Sequence, residues 1–271
     1  MISIRKLFNT PFLLKKITRT LIRDTAVGKY QFRYGIGALH RPNYAYLVYQ
    51  AAQLARRLGE QKVSVLEFGV AGGDGLLAME YHAENIEKIF SVTIEVFGFD
   101  TGVGLLAPID YRDLPYHWKS GFYKMDVPLL QSRLKRSKLV IGDVRETVQT
   151  FVTQFSSGPI GAISYDLDYY SSTVAALKLL DAPSRCLLPR LPIYFDDVIG
   201  GEVEYYNDYT GVRLAIAEFN NDHTERKLSP LYYLRDSMEP AEWHPHMWSF
   251  HAFDHPQYMQ FVGEENQQLP I

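Results

Sequence analysis

The chain has 271 residues, 46% hydrophobic and 14% aromatic, and a formal charge of -3 at pH 7. That is enough apolar material for one large domain, and the charge balance gives no global pull toward nucleic acid or an anionic membrane. The single cysteine, Cys186, excludes an internal disulfide and a cysteine-based zinc motif; with no apolar run near the roughly 20 residues that span a bilayer and no signal-peptide core, a soluble, cytoplasmic protein is expected.

Residues 1 to about 24 place Leu13, Leu14, Ile17 and Leu21 at helical spacing among Arg5, Lys6, Lys15, Lys16, Arg19 and Arg23, against Asp24 alone. This basic amphipathic helix belongs to an N-terminal extension, 1–42. It is expected to pack on the domain or on a second subunit, which makes a homo-oligomer plausible; a membrane-surface helix is the lesser alternative, and no stable insertion is expected.

From Asn43 a helix runs through AYLVYQAAQLARRL to a Gly59 cap. Then come strand 63–68, helix 76–90, strand 93–99, a long polar and aromatic segment, strand 139–142, helix 144–155, strand IGAISYDL, helix 172–180, strand PIYF and helix VRLAIAEF. Strands alternating with helices predict an α/β fold whose parallel sheet is covered on both faces. The runs LSPLYYL (228–234) and MWSFHAF (247–253) read as a closing antiparallel pair. The whole of 43–271 is one domain on this reading.

In LEFGVAGGDG, Glu67 ends the first strand and Gly69, Gly72, Gly73 and Gly75 make the turn into the next helix. Glycines there let a ligand approach the backbone, and Asp100 at the end of the second strand stands where an acid grips ribose hydroxyls. Gly73, Gly75 and Ala78 have the spacing of a dinucleotide fingerprint, so an NAD-dependent oxidoreductase is one reading. A dinucleotide turn should begin directly after its strand, however, and Glu67 to Gly73 spell ExGxxxG. This resembles motif I of class I S-adenosylmethionine-dependent methyltransferases, in which the loop and its acid hold the amino-acid part of the cofactor and the second-strand acid holds its ribose.

Further along, ISYDLDYYSST carries Asp166 and Asp168 two residues apart, on one side of a strand if the strand continues through both. The following strand ends on Asp196 and Asp197. Four carboxylates at one rim repel one another, and Arg213 is the main base nearby in sequence. A hard divalent cation with oxygen ligands, such as Mg²⁺, is the economical compensation, whereas helix capping accounts for one carboxylate of the four.

The order LEFGVAGG, FDTGVGL, IGDVRETV, YDLDYYSST and YFDDV with GVRLAIAEF resembles the macrocin O-methyltransferase family, metal-dependent sugar methylases, over about residues 63 to 220. The resemblance implies a Rossmann-like three-layer αβα sandwich with a mostly parallel seven-stranded sheet, its last strands antiparallel. It also implies S-adenosylmethionine held by Glu67, Gly69, Gly72, Gly73, Asp100 and Asp143, metal ligands Asp166, Asp196 and Asp197, and Asp168 as general base. The acceptor would be a hydroxylated small molecule such as a sugar or glycoside. LLPRLP stands where the family has a glycine-rich turn before the DD strand, and neither the aromatic segment nor the tail beyond 220 aligns.

The segment 105–126, rich in aromatics, reads as a lid, with His117 as a substrate-contacting residue and reserve base, and Trp118, Phe122 and Tyr123 available for stacking. His244, His246, His251 and His255 have spacing that zinc can use but are expected to be packing or rim residues. A cofactor-binding protein without catalysis is the non-enzymatic alternative.

Overall fold

The computed structural model describes residues 11–237 and 241–264. Arg5 and Lys6 of the N-terminal helix lie outside the described residues. The helices are α1 (Pro11–Thr25), α2 (Tyr30–Gly35), α3 (Pro42–Leu58), α4 (Asp74–Phe90), α5 (Val127–Arg133), α6 (Val144–Thr153), α7 (Tyr170–Leu177), α8 (Gly211–Asp222) and α9 (Tyr232–Arg235). The strands are β1 (Lys62–Phe68), β2 (Thr93–Asp100), β3 (Lys138–Ile141), β4 (Ile160–Tyr165), β5 (Arg190–Phe195), β6 (Arg226–Pro230) and β7 (Met247–Ala252).

The sheet order is β3-β2-β1-β4-β5-β7-β6. β7 pairs antiparallel with both β5 and β6, and the remaining pairings are parallel. The expected closing antiparallel pair is present, although β6 stops at Pro230 and Tyr232–Arg235 turns into α9. After β3 the chain returns to the far side of β1 to lay down β4. The order reverses there, and such a switch point opens a crevice at the carboxyl ends of the strands.

Strand alternation separates two cores. Val63, Val65, Ile94, Val96 and Ala162 pack with α3 and α4, while Leu66, Phe68, Phe97, Phe99, Ile163, Ile193 and Phe195 pack with α6, α7 and α8. Three helix-covered layers result. On the second face, Phe99, Phe68, Tyr165 and Phe195 stack across four adjacent strands, with centroids 4.5, 5.2 and 5.1 Å apart. Each contact of this kind contributes about 0.5–1.5 kcal/mol beyond area burial, and together they fix the register of the strand ends that carry the site.

In α1 the apolar stripe is exposed where its side chains are described. Its side chains Leu14, Ile17 and Leu21 are 67%, 44% and 59% exposed, and none of its described residues joins either core. α2 is tied in: Tyr30 is buried and its hydroxyl lies 2.9 Å from His82 Nδ1 on α4. No helix among the described residues is long and apolar enough to cross a membrane.

Candidate active site

Glu67, Asp100 and Asp196 end or follow strands on the face covered by α3 and α4, and Asp166 has the same parity one residue beyond β4. Asp100, Asp166 and Asp196 meet at the switch point around a cavity of about 380 Å³, lined also by Gly69, Asp143, Asp168 and Asp197, whereas Glu67, Gly72 and Gly73 stand outside its lining. Close backbone approach makes this crevice. Gly69 has φ +83, and a Cβ there would sit 1.6 Å from the Asp166 carbonyl oxygen, so only glycine lets the β1 and β4 turns meet. Gly73 is likewise left-handed, at φ +84, and precedes α4, while Gly72 faces open space.

Glu67 lies beneath this turn, 2% exposed. Its Oε1 accepts from Tyr44 Oη at 2.5 Å, while Oε2 is buried with no partner among the described residues. Burial pushes its carboxyl up to about 8 despite that hydrogen bond. Asp100 accepts from Ala71 N at 2.9 Å and Gly102 N at 2.7 Å, tying the glycine turn to the end of β2. Asp143 caps α6 by accepting from Arg145 N, and the Arg145 guanidinium holds its carboxyl below the usual range. Gly75 sits within α4, where a Cβ would lie 1.9 Å from Glu67 Oε1 and 2.7 Å from Tyr44 Oη. Its missing side chain makes room for that pair, which removes a phosphate-approach glycine from the dinucleotide reading.

The carboxylates differ in one respect from expectation. β4 stops at Tyr165, and Asp168 adopts φ +57 in the turn that follows. Strand alternation therefore does not bring Asp168 beside Asp166; a tight turn does, and Asp168 N donates to Asp197 Oδ2 at 2.9 Å. Asp197 Oδ1 accepts from Tyr206 Oη at 3.0 Å, and Asp196 Oδ1 from Tyr194 Oη at 2.7 Å. Ligand oxygens of Asp166, Asp196 and Asp197 all lie within 4.8 Å of one another. Burial first, then the neighbouring carboxylates, pushes Asp166 and Asp168 well above the usual carboxylate range, and burial likewise raises Asp197. Arg213 does not compensate, because it pairs with Asp208 at the surface. The Asp166 carboxylate accepts no hydrogen bond from a described side chain, so the donor set suits a hard cation.

Asp168 does not cap α7. Asp113, fully buried within the 105–126 segment, does so by accepting from Ser171 N at 2.8 Å and Ser171 Oγ at 2.9 Å, and it also accepts from Ile109 N at 2.8 Å. This segment brings Trp118 and Tyr123 into the cavity lining. His117 stands outside that lining, with Nε2 3.6 Å from Glu204 Oε1, and Tyr116 Oη donates to the Glu204 carbonyl. The four C-terminal histidines go to separate partners: His246 to the Phe195 carbonyl, His251 to Tyr258 and Ser249, His255 to the Ser184 carbonyl and His244 to Ala241 N. Arg41, Tyr44 and Tyr206 are site residues that the sequence did not single out. Arg41 lines the cavity and pairs with Asp74, in a stretch that carries no motif.

No protein-family model matches the chain, and no curated protein matches it. Among solved structures it is similar to CalS11, a calicheamicin methyltransferase, with a TM-score of 0.51 and 19% identity over 92% of this chain and 96% of that one. It is also similar to the O-methyltransferase NovP, with a TM-score of 0.51 and 12% identity over 89% of this chain and 98% of that one. The likeness is one of fold.

Proposed function

We propose that the chain is an O-methyltransferase that uses S-adenosylmethionine and a divalent cation, Mg²⁺ or similar, to methylate a hydroxyl of a small polyhydroxylated acceptor, a sugar or glycoside included. The observation that carries this reading is that Gly69, Ala71 and Asp100 of the glycine turn and second strand line the same cavity as the four-carboxylate cluster. The fold shared with two methyltransferases supports it. We assign 43–271 as the catalytic domain and 1–42 as an extension; the buried lone thiol suits a reducing, cytoplasmic setting.

Glu67, Gly69, Gly72, Gly73, Asp100 and Asp143 would hold the cofactor. The buried, unpartnered Glu67 Oε2 fits an ammonium donor, and Gly72 in the turn faces open space. Asp166, Asp196 and Asp197 would hold the cation. When bound, the sulfonium supplies an electrophilic methyl group and the cation supplies positive charge that favours loss of a hydroxyl proton. Asp168 takes that proton at its carboxylate, which is the one cluster carboxylate outside the ligand triplet. Trp118 and Tyr123 flank the acceptor and exclude water.

Calorimetric titration with S-adenosylmethionine, its demethylated product and NAD, repeated on Asp100→Ala, tests the cofactor. Heat with the first two and a weakened Asp100→Ala response are expected, and tight NAD binding would reverse the assignment. A panel of sugars, glycosides and polyphenols with Mg²⁺ and mass detection of a methyl gain then separates an enzyme from a protein that only binds the cofactor.

A further inference from the structure

Among the described residues that line the cavity, six are aspartates and one, Arg41, is a cation. The amino-acid part of S-adenosylmethionine and of its demethylated product carries an ammonium group and a carboxylate on one carbon. The ammonium can choose among several acids. The carboxylate meets like charge on every side of that lining except at Arg41.

Arg41 is held in an unusual way. It precedes Pro42, the first residue of α3, and its backbone is left-handed, at φ +47 and ψ +61. A long side chain rarely adopts that region, and a following proline favours extended backbone instead. Strain of this kind persists where the fold needs a side chain in one place, and ligand clamps are among those places. The guanidinium is steered from one edge: Nε and Nη2 each lie 2.9 Å from Oδ2 of the exposed Asp74, and Nη1 takes no part in that pair. Its carbon lies 5.8 Å from the centroid of the Tyr44 ring, whose Oη donates to Glu67 Oε1 at 2.5 Å. A guanidinium and an acid with one buried, unpartnered oxygen therefore flank the same tyrosine, which is the pairing that a zwitterionic α-amino acid requires.

We propose that the Arg41 guanidinium receives the α-carboxylate of the cofactor, so that the cavity selects a nucleoside carrying a complete amino acid. The assignment rests on the proposed use of S-adenosylmethionine. The glycine turn is the weaker partner for that carboxylate, because the N–H groups of Gly69, Ala71 and Gly73 already donate to the Phe99 carbonyl, the Asp100 carboxylate and the Val70 carbonyl. Asp74 keeps the guanidinium oriented from the solvent side.

The test is calorimetric titration of the full chain with S-adenosylhomocysteine and with its decarboxylated analogue, which keeps the ammonium group and lacks only the carboxylate. Parent protein is expected to prefer S-adenosylhomocysteine. Arg41→Asn, which suits the left-handed backbone but carries no charge, should lose on the order of 10- to 100-fold in affinity for S-adenosylhomocysteine and little for the analogue. Arg41→Lys keeps a point charge without the planar fork and should fall between the two, and it carries the comparison if Arg41→Asn melts early. Ligand-free variants should keep the parent's circular dichroism and melting temperature, since the pair with Asp74 is exposed and contributes little. An equal loss for both compounds would make Arg41 a tether between α3 and α4, and an unchanged preference would give the carboxylate to another group. Either result overturns the assignment and leaves the cofactor reading in place. Parent protein that binds neither compound removes that reading, and the assignment with it.

Discussion

Asp168 and Tyr206 bear on the same cluster from different sides, and each yields a separable expectation. Asp168→Asn keeps the shape of the side chain and leaves the backbone donor to Asp197 in place, but it cannot accept a proton. Turnover should fall on the order of 100-fold or more while cofactor and cation affinities hold, whereas Asp166→Asn should lose cation affinity first. Steady-state rates beside direct cation titrations check this. Parent-like turnover in Asp168→Asn would move the base to another group, with His117 the next to substitute. Tyr206→Phe removes a donor to Asp197 Oδ1 without emptying space. Cation affinity should drop about 10-fold through misorientation of that carboxylate, as expected of an outer-shell partner. An unchanged affinity by calorimetry would show that Asp197 is held without it. Spacing within the sequence exposed the four aspartates because they fall at strand ends, but Tyr206 belongs to a loop whose partner is nine residues away in sequence and whose pattern carries no period.

At the scale of elements, the alternation of strands and helices was legible because the central strands β1, β2 and β4 are buried on both faces and read as short apolar runs, with Glu67 and Asp100 punctuating the carboxyl ends. What escaped is the geometry of endings. The chain leaves β4 at Tyr165 by a left-handed turn at Asp168, a residue type that tolerates φ > 0 and so gives no glycine as warning. The segment 105–126 was legible as a cavity-covering loop from its aromatics, but its anchor was not, since Asp113 reaches Ser171 across 58 residues. This anchor also carries a prediction. Asp113→Ala would leave Ser171 N, Ser171 Oγ and Ile109 N without their acceptor in a fully buried place, at a cost on the order of 2–3 kcal/mol. The segment should become more open to limited proteolysis, and acceptor KM should rise more than cofactor Kd, because the cofactor residues at the ends of β1 and β2 do not touch Asp113. Equal loss of both would mean that the anchor supports the whole cavity rather than its cover.

For the molecule as a whole, the weak point toward acid is the junction of the N-terminal segment with the sheet-bearing body. His82 on α4 is fully buried; its Nε2 donates to the His40 carbonyl at 2.9 Å, which leaves Nδ1 to accept from Tyr30 Oη at 2.9 Å. Burial pushes its pKa down from 6.5 to about 4, so the folded state holds the neutral ring where the unfolded chain has begun to take up a proton. Between pH 6.5 and 4 the unfolded state binds more protons, and stability must fall as pH falls; below about 4 both states are charged and the loss levels off. The shift of about 2.5 units corresponds to a loss on the order of 3 kcal/mol across that window. Denaturant titrations at pH 7 and pH 4.5, with the same cation present throughout, should show this slope, and His82→Gln should flatten it because an amide does not titrate. Since both hydrogen-bond partners come from residues 30–41, hydrogen exchange should accelerate there before it does in β1 or β4. The difference between parent and variant isolates the imidazole from the aspartate cluster, whose raised carboxyls act in the opposite sense in metal-free protein. Identical slopes in the two proteins would place the acid sensitivity elsewhere and leave the Tyr30–His82–His40 contact as packing alone.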